Sequence, residues 1–311
     1  MVMGQPYKIK SYSILETIGK GTYAKVVRAF NEKTSSYVAI KIINRQEVQK
    51  MNMMRYLESE IRLLQILSHS SLPKIHEIIY TEKEIFIVME YFPNGNMAEI
   101  PDSRIYFTYK ERFEIVLKIA ECLNYLHERS ISHRDIKPEN IVFDVANNPI
   151  LIDFGLSIEN HESETSTFCG SPTYMAPEII TNKHYDSKKA DIWAFAVTVH
   201  FFMSNELPFD YSSEAKFLND IRKGKLVINN KCSGDLKNLL DRCFNLNPEQ
   251  RPTIKQIVES LESMRVDRIN SHLPQLNEIT SRKLNRSKID KNAMFFVNNH
   301  NRYRLRKIQS M

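Results

Sequence analysis

The sequence predicts an α+β chain of two lobes, a small strand-rich one followed by a larger helical one. Three observations carry the prediction. Apolar residues fall in β-rich runs over residues 12–43 and again at Ile75–Ile79 and Ile85–Met89. After Pro93-Asn94-Gly95 they recur at helical spacing instead. The length, 311 residues, suits about two domains or one domain of two lobes, and a chain of that size can bury a large core. The expected boundaries are an N-terminal arm at 1–11, a small lobe at 12–91, a large lobe at 92–264 and a C-terminal tail at 265–311.

Taken in order, Ile14, Val26, Val27, Val38, Ile40 and Ile42 mark strands, broken at Gly19–Gly21 and Asn31–Ser36. The period then changes. Leu57, Ile61, Leu64 and Leu67 predict a helix over residues 55–67. Glu60 sits on or beside its inward face, and a carboxylate there needs a partner, because an unpaired buried charge is costly. In the large lobe Phe113, Val116, Leu117, Ala120 and Leu123 make one apolar stripe. Ala190–Ser204 is apolar nearly all round, as in a buried helix. Thr253 caps a final helix that turns Ile254, Ile257, Val258 and Leu261 inward.

Composition excludes several classes. With 42% hydrophobic and 26% charged residues the chain reads as globular rather than disordered. Four cysteines cannot form a disulfide framework; they read as reduced thiols, and the expected location is the cytoplasm, with access to the nucleus. The first residues lack the apolar core of a signal peptide, and no run approaches the ~18 apolar residues of a membrane span. The net charge of +6 belongs to the tail, where eleven Lys/Arg stand against three acidic residues, so the body is slightly acidic. Specific nucleic-acid binding is therefore not expected.

Four motifs carry chemistry. Gly19-Lys20-Gly21-Thr22-Tyr23-Ala24-Lys25-Val26 places glycines between two strands, where backbone N–H groups can approach phosphate oxygens; taken alone, an ordinary hairpin is the better reading of them. Val38-Ala39-Ile40-Lys41 puts a lysine in mid-strand, which either snorkels to water or pairs with Glu60 and a ligand's phosphates. His133-Arg134-Asp135-Ile136-Lys137-Pro138-Glu139-Asn140 and Asp153-Phe154-Gly155 supply hard oxygen ligands and one candidate base. Mg²⁺ takes one or two carboxylates plus phosphate oxygens and water, which suits Asn140 and Asp153. Asp135 can orient a substrate hydroxyl and accept its proton.

With Ala176-Pro177-Glu178, Asp191-Ile192-Trp193 and Asn247-Pro248-Glu249-Gln250-Arg251-Pro252 added, the chain resembles a eukaryotic protein kinase over Tyr12–Met264. Lys137-Pro138-Glu139-Asn140 resembles the serine/threonine branch. Ala24 and Phe168-Cys169-Gly170-Ser171-Pro172 are similar to the calcium/calmodulin-dependent kinase group, nearest the AMP-activated and microtubule-affinity-regulating kinases. The resemblance implies a bilobal kinase fold and transfer of the ATP γ-phosphoryl group to Ser/Thr hydroxyls of proteins, with ATP and Mg²⁺ bound. A scaffold that has lost catalysis is the competing reading, but Lys41, Asp135, Asn140 and Asp153 are all present. By resemblance, Gly19 and Gly21 cover the phosphates, Val26, Ala39 and Val142 sandwich the adenine, and backbone groups of Glu90 and Phe92 bind its edge beside Met89. Lys41, held by Glu60, grips phosphates; Asp153 and Asn140 hold Mg²⁺; Asp135 is the base and Lys137 steadies the γ-phosphoryl group. Glu178 and Arg251 form a buried ion pair, Asp191 anchors the catalytic loop, and Leu64, Ile75, His133 and Phe154 stack to align the lobes.

The same resemblance sets expectations for regulation and substrate. Arg134 would meet a phosphate on the 163–167 segment, best at Thr167, added by an upstream kinase or by autophosphorylation. Ile158 and Tyr56 stand where supporting cations are usual, so the effect is expected to be modest. Ser171 steadies the catalytic loop. Of three acidic positions that favour upstream arginine only Glu139 is present; Asn96 and Phe201 fill the others, with Glu99 nearby. Phe168, Pro172 and Met175 would line an apolar pocket for the residue after the target. Cys169 reads as an ordinary free cysteine rather than a reactive one. The basic tail reads as a solvated extension, with a calmodulin-like partner or an acidic surface as alternatives.

Overall fold

Alternation in the first lobe produces a curled antiparallel sheet. The computed structural model describes residues 7–21, 24–103, 105–159 and 165–272, with the backbone alone for 267–272. The sheet holds β1 (Lys8–Ile9), β2 (Tyr12–Lys20), β3 (Ala24–Asn31), β4 (Ser36–Asn44), β5 (Ile75–Tyr80) and β6 (Glu84–Glu90), in the order β1-β2-β3-β4-β6-β5. It begins at Lys8, so β1 draws part of the expected arm into the sheet by pairing with β2. The period of two splits β4 between two environments. Val38, Ile40 and Ile42 join Tyr12, Val27, Ala29, Phe86 and Val88 in a core of their own. Ala39 and Lys41 point the other way, into a cavity between the lobes. A mid-strand lysine thereby faces the cleft without breaking the core.

Two helices follow β4. The short α1 (Arg45–Lys50), capped by Asn44, was not foreseen; Val48 is its one buried residue, too little for a periodic signal. The longer α2 (Met54–Ile66) turns Leu57, Glu60, Leu63 and Leu64 inward; of the expected stripe Leu57 and Leu64 are buried, Ile61 is half-buried and Leu67 is the C-cap, while Leu63 was not foreseen. The chain then returns through β5 and β6 and leaves the sheet at Glu90.

The second lobe is built on two long helices. A capping box closes the start of α3 (Tyr109–Glu128): Thr108 Oγ1 accepts from the Glu111 N–H at 3.3 Å and Glu111 Oε2 accepts from the Thr108 N–H at 2.8 Å. Its predicted stripe is buried throughout. Short strands follow: β7 (Ile131–Ser132), β8 (Ile141–Phe143), β9 (Pro149–Leu151) and β10 (Ile158–Glu159), paired β8 with β9 and β7 with β10. After α4 (Pro177–Thr181) comes α5 (Ser187–Ser204), in which Trp193, Phe195, Ala196 and Val197 are fully enclosed. Next are α6 (Glu214–Arg222), α7 (Gly234–Cys243) and α8 (Ile254–His272). Thr253 caps α8 through the Gln256 N–H at 3.3 Å. That helix runs through the expected boundary at 264, and residues 1–270 form one unit. The tail beyond His272 lies outside the described residues, and with it the expected tail partner. No helix among the described residues is long and apolar enough to cross a membrane. A bidentate pair, Arg251 Nη1 and Nη2 to Glu178 at 2.6 and 2.7 Å, lies fully buried beneath α5 and ties α4 to the chain before α8.

Candidate active site

A cavity of about 470 Å³ opens where the sheet meets the helical lobe. It collects residues from Ile18 to Phe154, including Gly19, Gly21, Val26, Ala39, Lys41, Glu60, Met89, Glu90, Phe92, Asn140, Val142 and Asp153. Volume and mixed lining suit a cofactor-sized ligand. Ile18, Tyr91 and Ile152 also line it and were not foreseen. Each neighbours a motif residue, which was the only sequence signal available.

Within the cavity Lys41 Nζ stands 2.5 Å from Glu60 Oε1 and 3.3 Å from Asp153 Oδ1. Three elements meet there, although 112 positions separate Lys41 from Asp153. Glu60 is 2% exposed. Burial pushes its carboxyl above the usual range, and the Lys41 ammonium pulls it back. Desolvation in the cleft pushes the Asp153 carboxyl up, but the Lys41 ammonium and the Gly155 N–H outweigh it and hold it low. Asp153 therefore stays an anion facing a cation.

The loop from His133 to Asn140 is fixed from below and from within. The Asp191 carboxylate on α5 accepts the His133 and Arg134 N–H groups, each at 2.8 Å. Arg134 and Asp153 both adopt left-handed backbone, at φ 65° each, a conformation that costs energy outside glycine. Asp135 Oδ1 accepts from the Ser171 hydroxyl at 2.9 Å and the Ser171 N–H at 3.1 Å. Lys137 Nζ lies 2.8 Å from Asp135 Oδ2 and donates to Ser171 Oγ at 2.6 Å. Asn140 Nδ2 donates to the Asp135 carbonyl at 2.8 Å and to Oδ2 at 2.9 Å. His133 spends both ring nitrogens on backbone: Nε2 bonds the Ile152 carbonyl at 3.1 Å and Nδ1 accepts from the Asp135 N–H at 3.3 Å. Its ring packs edge-on to Phe154 at 5.1 Å, so it is a packing residue rather than an acid or base.

The donor set fits Mg²⁺. Asn140 commits its amide nitrogen and leaves Oδ1 without a partner among the described residues; Asp153 engages Oδ1 and leaves Oδ2 likewise. The described residues contain no group of three or more His, Cys, Asp or Glu placed to hold a metal. An ion here would depend on phosphate and water for the rest of its shell, which is the habit of Mg²⁺.

The glycine loop discriminates between its two readings. Gly19 and Gly21 have no positive φ, and an added Cβ would meet neighbours at 3.6 and 3.5 Å, ordinary contact distances. The fold does not demand glycine there, which favours close approach of a ligand over a hairpin requirement. At Gly170 the reverse holds: φ is +111° and a Cβ would lie 2.9 Å from the Arg134 carbonyl oxygen. At the far end of the cavity the Phe92 N–H and carbonyl make no hydrogen bond among the described residues, leaving both to a ligand's edge.

The segment before α4 is placed over the catalytic loop. Thr165 and Tyr185 pair through their backbones, and the Tyr185 hydroxyl donates to the Thr167 carbonyl at 2.7 Å. Arg134 Nε donates to the Leu156 carbonyl at 2.6 Å, while Nη1 and Nη2 are buried near the Tyr185 hydroxyl with no geometric hydrogen bond among the described residues. Ser163 lies outside the described residues. Tyr56 and Ile158 line one open groove with Arg55, and Arg62 pairs with Glu159. Burial pushes the half-buried Cys169 thiol up, which agrees with an unreactive cysteine. Met175 is buried against a small cavity with Ser171, Tyr174 and Ile179, whereas Phe168 is exposed and, like Pro172, absent from that lining. Phe168 and Pro172 therefore do not share that cavity with Met175. Glu139 is exposed, and Glu99 is spent closing a capping box on the Asn96 N–H at 3.3 Å.

A six-stranded sheet over a helical lobe, with lysine, two carboxylates and an asparagine converging between them, defines the protein-kinase class of fold. The chain belongs to that family: residues 12–261 match the model of the protein kinase domain. It is 31% identical over 252 residues to the probable serine/threonine-protein kinase MARK-A of Dictyostelium discoideum, covering 80% of this chain and 24% of that protein. It is 33% identical over 257 residues to the serine/threonine protein kinases OSK3 and OSK4 of Oryza sativa subsp. indica, covering 82% of this chain and 51% and 50% of theirs. The chain therefore spans about half the length of the rice relatives and about a quarter of the Dictyostelium one.

Proposed function

We propose that the chain is an ATP-dependent protein serine/threonine kinase of the calcium/calmodulin-dependent group. The observation that carries the reading is the contact of Lys41 with both Glu60 and Asp153 inside the cavity that Asn140 also lines. Lys41 grips the α- and β-phosphates of ATP, and Asn140 and Asp153 hold Mg²⁺, which when bound offsets charge on the phosphate oxygens. Asp135 receives the substrate hydroxyl, orients it and takes its proton. Its carboxylate already accepts one hydroxyl, that of Ser171 at 2.9 Å, so the acceptor geometry is feasible. Lys137, beside both groups, offsets charge on the moving phosphoryl group. Phosphoryl transfer passes through a loose transition state, so positioning and charge account for most of the rate.

Labelled phosphate transfer from ATP to a generic basic protein, with Asp153→Ala beside wild type, tests this. Transfer by wild type and loss in the variant are expected. Nucleotide binding with no transfer would establish the scaffold reading instead.

Finer features belong to the same proposal. The Arg134 nitrogens left without a hydrogen bond among the described residues and the nearby Thr167 support activation by a phosphate on Thr167, placed there by autophosphorylation or an upstream kinase. Site mapping of protein incubated with ATP alone separates the two, and full activity of Thr167→Ala would end this idea. Glu139 supports a weak preference for basic residues upstream of the target, with a hydrophobic residue downstream against Met175; a peptide library giving acidic or proline preference would refute it. Four free thiols suit a reducing compartment such as the cytoplasm, which imaging of the tagged chain checks.

A further inference from the structure

Strand alternation decides which side chains stand at the rim of the cleft. Between β3 and β4, Val26 pairs with Lys41, Arg28 with Ala39 and Phe30 with Tyr37; Ala39 pairs in turn with Met89 on β6. Val26, Ala39, Lys41 and Met89 line the nucleotide cavity, so Arg28 and Tyr37 share that face of the sheet, one step further out. Tyr91, two residues after Met89, also lines the cavity. An arginine and two tyrosines therefore meet at its mouth.

The contacts are close. Arg28 Cζ lies 4.7 Å from the centre of the Tyr37 ring and 5.8 Å from that of Tyr91, over both rings and within reach of a cation–π attraction. Phe30 braces Tyr37 edge-on at 5.5 Å. Glu16 orients the guanidinium: Nε lies 2.7 Å from Oε1, and Nη2 donates to Oε2 at 3.3 Å. β2 carries one extra residue between Ile14 and Thr17, and Glu16 sits in that bulge, where strict alternation is broken and a side chain is re-aimed.

These side chains grip the linker between the lobes. Its far end is tied to the large lobe. Asn94 Nδ2 donates to the Asp144 carbonyl and to Asn147 Oδ1, each at 2.8 Å, and the Phe143 N–H donates to the Gly95 carbonyl at 3.0 Å. Its near end leaves β6 at Glu90. Between the two ends, neither Tyr91 nor Phe92 makes a backbone hydrogen bond among the described residues. No ladder fixes the Phe92 N–H and carbonyl, so a hold on the neighbouring Tyr91 ring bears on where they point.

We propose that Arg28 is a positioning residue for nucleotide: through the Tyr91 ring it holds the linker so that the Phe92 backbone meets the adenine edge. The assignment rests on the nucleotide reading of the cavity. Arg28 does not line the cavity itself, so it acts through Tyr91 and not by touching the ligand. A preordered linker can add no more to binding than the attraction that orders it, which for a partly exposed cation–π pair is about two- to fivefold in affinity.

Calorimetric titration of the full chain with adenosine, and with ATP plus Mg²⁺, tests this. Wild type should bind both. Arg28→Ala should bind both about threefold weaker. The loss should be equal for the two ligands, because uncharged adenosine does not sense a missing cation at a distance. The penalty of Arg28→Ala should persist in a Tyr91→Phe background, which keeps the ring, and vanish in Tyr91→Leu, which lacks it. In transfer assays Arg28→Ala should raise KM for ATP by the same factor with kcat unmoved. Unchanged adenosine binding would overturn the assignment. Loss for ATP alone would do the same, by exposing a long-range effect of charge. An equal penalty in the Tyr91→Leu background would show that Arg28 acts on the fold and not through the ring. A wild-type chain that binds neither ligand would instead remove the nucleotide reading, and the assignment with it.

Discussion

Lys41 illustrates how one residue serves fold and chemistry at once. Its ammonium is the counter-charge of a carboxylate that is almost wholly enclosed. Lys41→Met removes phosphate binding and strands Glu60, and breaking one side of a buried pair costs about 3–5 kcal/mol. Lys41→Met/Glu60→Gln should recover most of that stability in urea melts while remaining inactive, which separates the electrostatic role from the catalytic one. The glycines allow a second division. Gly21→Ala should shift stability by about 1 kcal/mol or less yet raise KM for ATP, because its Cβ meets only ordinary contacts. Gly170→Ala should cost about 1–3 kcal/mol, since its backbone is left-handed and pressed against Arg134. Equal stability losses at the two positions would contradict this division. Lys41, Asp135, Asn140 and Asp153 were legible in sequence because their residue types are chemically unusual in their settings. The Arg134 nitrogens left without a hydrogen bond among the described residues were not, because satisfaction of a polar atom is a property of the folded surroundings.

Among elements, legibility follows how much apolar surface each one buries. The pattern announced α2, α3, α5 and α8, where the inward face repeats over several turns. It did not announce α1, with one buried residue, or the two-residue strands β1, β7 and β10, which exist because a partner strand lies beside them. Adjacency in sequence likewise did not determine which side chains turn inward: Met175 is buried and Phe168 exposed. The end of α5 carries a further consequence. His200 is fully buried, its Nδ1 bonded to the Glu206 carbonyl at 2.8 Å and its Nε2 accepting the Lys231 N–H at 2.9 Å. Burial lowers its pKa below 6.5, against the pull of the Glu206 carbonyl. The unfolded chain then binds a proton that the folded helix refuses, so this contribution is intact above pH 6.5 and lost as pH falls below it. The loss reaches at most about 1.4 kcal/mol per pH unit. Urea midpoints should drop between pH 7.5 and 5.5, and His200→Gln should reduce that drop while lowering the midpoint at pH 7.5.

At the scale of the molecule, one apolar core runs through both lobes. Ile43, Leu57, Leu64 and Ile87 from the small lobe belong to the same buried cluster as Leu123, Phe154, Trp193 and Leu261 from the large one. The sheet's second core, around Ile40 and Val88, is confined to the small lobe. A shared core makes the lobes a single thermodynamic unit, in which energy gained at the cleft reaches helices far from it. Trp193 is the chain's one tryptophan and lies wholly enclosed on α5, so its fluorescence reports the large lobe alone. Saturating nucleotide with Mg²⁺ at about 100 times its Kd adds about 2.7 kcal/mol to the folded state. For a unit of this size that shifts the thermal midpoint by about 5–10 °C. The Trp193 signal should move by the full amount, together with far-UV ellipticity, and Asp153→Ala should abolish most of the shift. If Trp193 kept its midpoint while ellipticity moved, the lobes would be unfolding separately and the continuous core would not be coupling them.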